Sequence, residues 1–267
     1  METLSERVAL VRGMNTGPMT LSGTNTYLVG EPVWIVDPGP PDPEQARRVV
    51  TAVCAGDDAA GIVLTHRHFD HAGAVALVRD ELGVDVFAGR EPETANRLGE
   101  PDAEDLGDLR IVREGDRLGP FLVIETPGHA ADHIALFTEE RELFCGDTVL
   151  GEGSVFIPPG GGSLGRYLDS LRRLRDLDAR VLYPGHGPVV EDPRAKLDEY
   201  IAHRLERERR LIEALDDGLR ERDALLDRVW ADAPPQLRGP AAMTLESHLD
   251  KLDHEGRLPE GVERLKL

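Results

Sequence analysis

The chain has 267 residues, 40% of them hydrophobic and 30% charged, with 28 glycines and 19 prolines. This composition excludes disorder and fibrous repeats, and it suits one large core, alone or with a small appendage. Asp and Glu number 50 against 31 Lys and Arg, a formal net charge of −19, which disfavours phosphate backbones and anionic lipid unless cations are held locally. No apolar run approaches the roughly 20 residues that cross a bilayer. The opening Met1-Glu-Thr-Leu-Ser-Glu-Arg carries acids where an export signal has a basic end and an apolar stretch. A cytoplasmic protein is expected.

Taken in chain order, the apolar runs at 33–36, 62–64, 122–124, 143–145 and 181–183 read as buried strands. Each is followed by polar residues of the kind that bind ions. The first ends in Asp37-Pro-Gly, the second in Thr65-His-Arg-His-Phe-Asp-His, the third in Thr126-Pro-Gly-His, the fourth in Gly146-Asp and the fifth in Pro184-Gly-His. Loops at one edge of a sheet can converge such side chains without burying unpaired charge in a core. Helix-like stretches at 43–55, 72–82 and 164–177 would cover the sheet faces. Cys54 and Cys145 are too few for a disulfide framework and are expected to be buried and reduced. Ile157-Pro-Pro-Gly-Gly-Gly-Ser lacks the Gly-Lys-Ser/Thr of a phosphate-binding loop and reads as a flexible rim.

The character of the chain changes near residue 192, which predicts domains at 1–192 and 193–267. The second part carries 14 Lys and Arg against 17 Asp and Glu, so it accounts for only −3 of the charge and the first part for −16. In it, Leu197, Ile201, Leu205, Ile212 and Leu215 form a near-helical stripe ending at Gly218. Asp223 is placed to cap a second helix, and Leu245, Leu249 and Leu252 mark a third. These helices fit either a packed helical cap or a winged helix. Arg204, Arg207, Arg209 and Arg210 read as a solvated face paired with Glu206 and Glu208. His203, His248 and His254 read as solvated.

His66-x-His68-x-Asp70-His71 places four ligand-type side chains in six residues directly after a strand, and His129, Asp147 and His186 repeat that placement. Imidazole and carboxylate donors in this number suit a pair of zinc ions, and Fe or Mn can occupy similar sets.

Together these motifs resemble the metallo-β-lactamase superfamily, which implies a four-layered αββα sandwich, an α/β (α+β) fold. By that resemblance His66, His68 and His129 bind one metal, Asp70, His71 and His186 bind a second, and Asp147 bridges them. Asp37 resembles the buried strand-end Asp that supports the metal loops. Gly23-Thr-Asn-Thr-Tyr-Leu-Val, His129-Ala-Ala-Asp-His133, Gly146-Asp-Thr-Val-Leu-Gly-Glu-Gly and Tyr183-Pro-Gly-His-Gly-Pro-Val are similar to the LACTB2-like branch. So is the tail, through Tyr200-Ile-Ala-His-Arg-Leu-Glu-Arg-Glu and His248-Leu-Asp-Lys-Leu-Asp-His-Glu-Gly-Arg. The likeness favours the winged helix.

The implied enzyme is a zinc-dependent hydrolase with two Zn2+ per chain about 3.5–4 Å apart, which lower the pKa of a bridging water to about 7. Asp70 would orient the resulting hydroxide and relay its proton to the leaving group. Asn25 and Thr26 are either substrate-loop residues near the active-site mouth or ordinary turn residues. His133 is either a proton donor or a histidine hydrogen-bonded to a loop. The LACTB2-like resemblance implies endonucleolytic cleavage of single-stranded RNA, and fungal relatives of that branch imply thioester hydrolysis. An ester or lactone of a small molecule belongs with the second reading. A metal-sensing DNA-binding regulator is the non-enzymatic alternative, and a homodimer is compatible with any of these. His186-Gly-Pro replaces the Glu-Tyr that follows the last ligand in glyoxalase-type enzymes, which disfavours a glutathione thioester.

Overall fold

A computed structural model describes residues 1–54, 58–90, 106–159 and 162–265. Seven strands pair in chain order in the first sheet: β1 (Glu2–Thr3), β2 (Val8–Arg12), β3 (Asn25–Val29), β4 (Val33–Val36), β5 (Ala59–Leu64), β6 (Val86–Gly89) and β7 (Leu109–Val112). Pairing is antiparallel up to β4 and parallel from β4 to β7. The change of direction follows from connection length. Connections without a helix join the antiparallel strands, residues 4–7, 13–24 and 30–32, while α1 (Pro43–Cys54) crosses between β4 and β5. Next, α2 (Phe69–Ala72) and α3 (Val75–Leu82) lie between β5 and β6. The second sheet has β8 (Arg117–Leu118), β9 (Phe121–Glu125), β10 (Ile134–Thr138), β11 (Glu142–Gly146) and β12 (Val181–Pro184) in the order β12-β11-β10-β9-β8. Among the described residues α4 (Leu164–Arg175) is the crossover that makes β12 parallel to β11.

Period-two alternation builds the layers. Ile35, Ile62 and Leu64 face α1 and α3, where they meet Val49, Val53, Val75 and Val78. The intervening Val36 and Val63 face the other sheet and join Phe121, Val123, Phe144 and Tyr183. On the outer side of the second sheet, Leu143, Cys145 and Leu182 pack on Tyr167, Leu168 and Leu171 of α4. This is the expected αββα sandwich. Cys145 is fully buried, which pushes its thiol up to about 12. Cys54 is exposed, contrary to expectation: it sits one position beyond Val53, and one position turns the helix by about 100° away from the buried face.

After β12 the described chain is helical, with α5 (Pro193–Asp216), α6 (Arg222–Val229), a 3-10 turn at Pro235–Leu237 and α7 (Arg238–His254). No strand follows β12 among the described residues, so the hairpin of a wing is not among them. No helix of the structure is long and apolar enough to cross a membrane. Asp223 lies inside the first turn of α6 rather than capping it.

The expected stripe on α5 is rotated: Leu205 is 41% exposed, while Tyr200, Arg204, Arg207, Glu208 and Leu211 are buried. Leu197 and Tyr200 belong to the outer core of the sandwich, whereas Leu211, Ala214 and Leu215 join Leu226, Trp230, Leu245 and Leu249 in a separate helical core. Arg209 and Arg210 do pair with Glu206. Glu208 instead reaches Lys251 at 2.8 Å and Arg257 at 3.4 Å. His248 is likewise not solvated: it is fully buried against Trp230, with neither ring nitrogen hydrogen-bonded. In the glycine-rich rim, Ile157 is buried, and Gly160 and Gly161 lie outside the described residues.

Candidate metal centre

The five strand-end segments converge at one edge of the two sheets. Leaving β5, His66 and His68 turn to one side. Arg67 between them turns away, donating to the Gly89 carbonyl at 2.7 Å and facing Asp132 at 3.5 Å. The one-turn α2 then presents Asp70 and His71. Two glycines allow the close approach of the other loops. A Cβ on Gly146, which has φ +45°, would stand 2.5 Å from Thr65 Oγ1, and one on Gly185 would stand 2.3 Å from Asp147 Oδ1.

His66 Nε2 and His129 Nε2 lie 3.0 and 2.9 Å from His68 Nδ1. The outer nitrogens fix which atoms hold protons. His129 Nδ1 donates to the Phe156 carbonyl at 2.6 Å. Thr65 Oγ1, whose proton goes to Asp37 Oδ2 at 2.7 Å, accepts from His66 Nδ1 at 3.0 Å. The Nε2 lone pairs of His66 and His129 therefore converge on one point. Burial keeps these rings neutral, lowering His66 and His129 and, with nearby His129, bringing His68 to about 3.

A second cluster joins Asp70, His71 and His186. His186 Nε2 lies 3.1 Å from Asp70 Oδ2 and 3.2 Å from His71 Nε2. Asp147 stands between the clusters, 3.4 Å from His71 Nε2, 3.5 Å from His186 Nε2 and 3.7 Å from His129 Nε2. Burial works to lower His186, but Asp147 and Asp70 bring it up to about 9. His71 is raised well above its usual value against burial by Asp70, Asp147 and Asp37. Burial raises Asp70, yet His71 and His186 bring it to about 2.

These donors fit metal ions. Asp147 Oδ1 is buried without a hydrogen-bond partner and faces His71 Nε2 at 3.4 Å, so its charge is balanced only while that imidazole is protonated, and a metal ion can take the proton's place. Three neutral imidazoles aimed at one point, beside carboxylates balanced by protonated imidazoles, are the donor types that zinc, iron and manganese take.

Other residues hold the donors in place. Buried Asp37 accepts from Thr65 N–H at 2.7 Å and from His71 Nδ1 at 2.9 Å, so it anchors the β5 loop and orients His71. Asp147 N–H donates to His133 Nε2 at 3.1 Å, which puts the ring proton on Nδ1, 2.7 Å from Thr126 Oγ1. His133 is thus buried behind His66 and hydrogen-bonded to the β11 loop. Asn25 Nδ2 donates to the carbonyls of Pro184 and Gly187, both at 2.9 Å, fastening the loop that carries His186. Thr26 is buried and accepts from Gln45 at 3.3 Å. Neither Asn25 nor Thr26 lines the adjoining cavity.

That cavity, about 1020 Å³, begins at His68, Asp70, His129, Asp147 and His186 and extends to α5 and α7. Its walls include Phe69, Leu150, Val155, Phe156, Trp230 and Met243. The part formed by the C-terminal helices escaped sequence reasoning. One available signal was the 3-4-3-4 spacing of Leu197, Tyr200, Arg204, Arg207 and Leu211, a helical face with arginine in it.

A family model described as the metallo-beta-lactamase superfamily matches residues 19–186. The chain is 35% identical to the beta-lactamase-like protein 2 homolog of Caenorhabditis elegans over 96% of this chain and 87% of that protein. It is 38% identical to the lactamase-like protein aptB of Emericella nidulans over 80% of this chain and 67% of that protein. The metallo-beta-lactamase family protein TTHA1429 from Thermus thermophilus superposes with a TM-score of 0.77 at 27% identity, covering 95% of each chain. TTHA1623, solved in a di-iron-bound form, gives a TM-score of 0.56 at 31% identity over 68% of this chain and 94% of that one. The chain belongs to the metallo-β-lactamase superfamily and is a metal-dependent hydrolase of that superfamily.

Proposed function

We propose that the chain hydrolyses an acyl ester or thioester with an apolar acyl part, using two metal ions, zinc in the first instance. His66, His68 and His129 would hold one ion, Asp70, His71 and His186 the other, with Asp147 between them. When bound, such ions polarise the scissile carbonyl and acidify a water toward neutral pH. Asp70, the one of these carboxylates with substantial exposure, its side chain 31% accessible, orients the attacking water and carries its proton to the departing alcohol or thiol. Asp37 and His133 position the donors. Residues 1–192 form the catalytic unit in this reading, and residues 193–267 close the cavity over it.

The observation that supports an acyl substrate is the apolar lining of the cavity next to the donors. Ligand sites are commonly mostly apolar with a few placed polar groups. Single-stranded RNA, the expectation from the LACTB2-like resemblance, is usually bound by exposed cations and stacking aromatics along a groove. Here Arg209 and Arg210 pair with Glu206, and Arg207 pairs with Asp232 at 2.6 Å. A DNA-binding regulator would need a free helix face, yet Leu245, His248, Leu249 and Leu252 of α7 are buried.

Metal analysis of purified protein, followed by parallel assays on acyl thioesters, aryl esters and labelled single-stranded RNA, tests this reading. Two bound ions and ester or thioester turnover are expected. Cleavage of RNA with no ester or thioester turnover would overturn the substrate assignment.

A further inference from the structure

The wall of the cavity formed by α5 holds a buried cation without a counter-ion among the described residues. Arg204 is 2% exposed and lines the cavity. Its Nη2 donates to the Val155 carbonyl, its guanidinium lies over the Tyr167 ring at 5.5 Å, and its Nε has no hydrogen-bond partner. Among the described residues no carboxylate oxygen lies within 4 Å of it. The neighbouring charges are already matched. Arg207 makes a two-point contact with Asp232, at 2.6 and 3.1 Å, and Glu199 pairs with Lys196 at 3.1 Å. His203 accepts from Arg207 Nε at 3.3 Å, and burial with the two arginines brings it down to about 4, so it is neutral. Glu152, another acid on the cavity wall, is exposed to water. Among the described residues, Arg204 is thus left on this wall without an opposite charge.

An uncompensated buried guanidinium is expensive. A protein retains one readily where a ligand brings the opposite charge, and the planar guanidinium fork suits an oxyanion. We propose that Arg204 binds an anionic group, a carboxylate or a phosphate monoester, at the end of the substrate remote from the scissile bond. This inference rests on the ester or thioester reading above and narrows it: the substrate carries a reactive acyl carbon at the metal donors and a negative charge separated from it by an apolar stretch. The apolar residues of the cavity wall, Leu150, Val155, Phe156 and Trp230 among them, suit such a stretch. Arg204 is then a specificity residue that acts on binding rather than on bond breaking.

The test compares adipoyl, suberoyl and sebacoyl thioesters of N-acetylcysteamine with their neutral hexanoyl, octanoyl and decanoyl partners on the metal-loaded protein. The wild type is expected to favour the best anionic member over its neutral partner by roughly 10- to 100-fold in kcat/KM, expressed mainly in KM. Arg204→Met collapses that ratio, and Arg204→Lys retains part of it. Equal kcat/KM for anionic and neutral partners in the wild type overturns the proposal without any variant. An equal loss on both substrates in a folded R204M protein also overturns it, because that marks a structural arginine. Calorimetric titration with the free dicarboxylates and matching monocarboxylates provides a readout independent of turnover. Arg204-dependent preference for the dicarboxylates, with no ester or thioester hydrolysed, would sink the hydrolytic reading and leave this inference standing.

Discussion

Replacing Asp37 by Asn separates the support of the metal donors from the donors themselves. Asn has nearly the same shape and tolerates the left-handed backbone found here, φ +52°, so the substitution changes hydrogen bonding and little else. The wild-type carboxylate accepts three bonds, from Thr65 N–H, Thr65 Oγ1 and His71 Nδ1. Asn can keep the first through its carbonyl and can offer its NH2 to Thr65 Oγ1. It cannot then accept from His71. Losing one charge-assisted bond and weakening another, in a site 1% exposed, costs about 2–4 kcal/mol of stability.

The larger consequence falls on His71. With an NH2 group facing Nδ1, the ring is stable as the tautomer with its proton on Nε2, the nitrogen that faces Asp147 at 3.4 Å and would bind the ion. The expected outcome is a 10- to 100-fold weaker second metal ion, with a smaller effect on the three-histidine half through Thr65 Oγ1 and His66 Nδ1. Competition with a chromophoric chelator measures the two affinities, and urea unfolding of the metal-free protein measures the stability loss. Two metal affinities indistinguishable from wild type in D37N would refute the assignment of Asp37 as the residue that sets the His71 tautomer.

Asp70→Ala should lower turnover by roughly 10²- to 10⁴-fold, as loss of a proton-transfer group does; a metal-loaded D70A protein with wild-type kcat would show that another group moves the proton. Gly185→Ala places a Cβ 2.3 Å from Asp147 Oδ1 and 2.7 Å from His71 Cε1, and overpacking of this kind costs about 1–3 kcal/mol. Metal content and unfolding midpoint should both fall, and retention of both would mean that the β12 loop shifts freely. Because His71 and His186 are protonated without metal at neutral pH, His186 up to about 9, loading the second half should release protons and strengthen as pH rises, whereas the neutral three-histidine half should not. Calorimetry in buffers of different ionisation enthalpy reads the proton count, and a buffer-independent heat for both ions would contradict the charge states. Ending the chain at residue 192 removes Leu197 and Tyr200 from the outer core, about 1.5–3 kcal/mol for each buried side chain. The truncated protein should melt well below the full chain, and an unchanged melting temperature would show that the outer core closes without α5.

The sandwich and its donor edge were legible because both rest on local patterns. Buried strands such as Val33–Val36 and Val181–Pro184 announce themselves by β-branched and aromatic runs, and the donors fall directly after them. Contacts that depend on distant packing were not legible. Whether Arg204 faces solvent or a cavity depends on where the Val155 loop and α7 come to lie, and a charged residue on a charged helix carries no local mark of burial. His248 is similar: its burial comes from Trp230 and α5, not from its neighbours in sequence. Asn25 and His133 stand out in sequence, but their partners, the Pro184 and Gly187 carbonyls and the Asp147 N–H, lie at the ends of other strands. Only the fold distinguishes a side chain that touches substrate from one that fastens a loop.

The net charge of −19 acquires a physical reading from the same geometry. Asp37, Asp70 and Asp147 converge within one buried neighbourhood, and without metal they are balanced by protons on His71 and His186. A metal ion replaces those protons with charge that does not titrate. An ion that binds only the folded chain adds stability, about 4 kcal/mol when its free concentration is a thousandfold above Kd. The acidity of residues 1–192 is thus partly a demand for cations, which when bound would supply positive potential at this edge. In the proposal above, Arg204 makes the same demand with the opposite sign on the cavity wall formed by α5. The proposed substrate, with an electrophilic carbon and a separate anionic group, answers both, whereas a uniformly anionic polymer would meet Glu152 on the cavity wall.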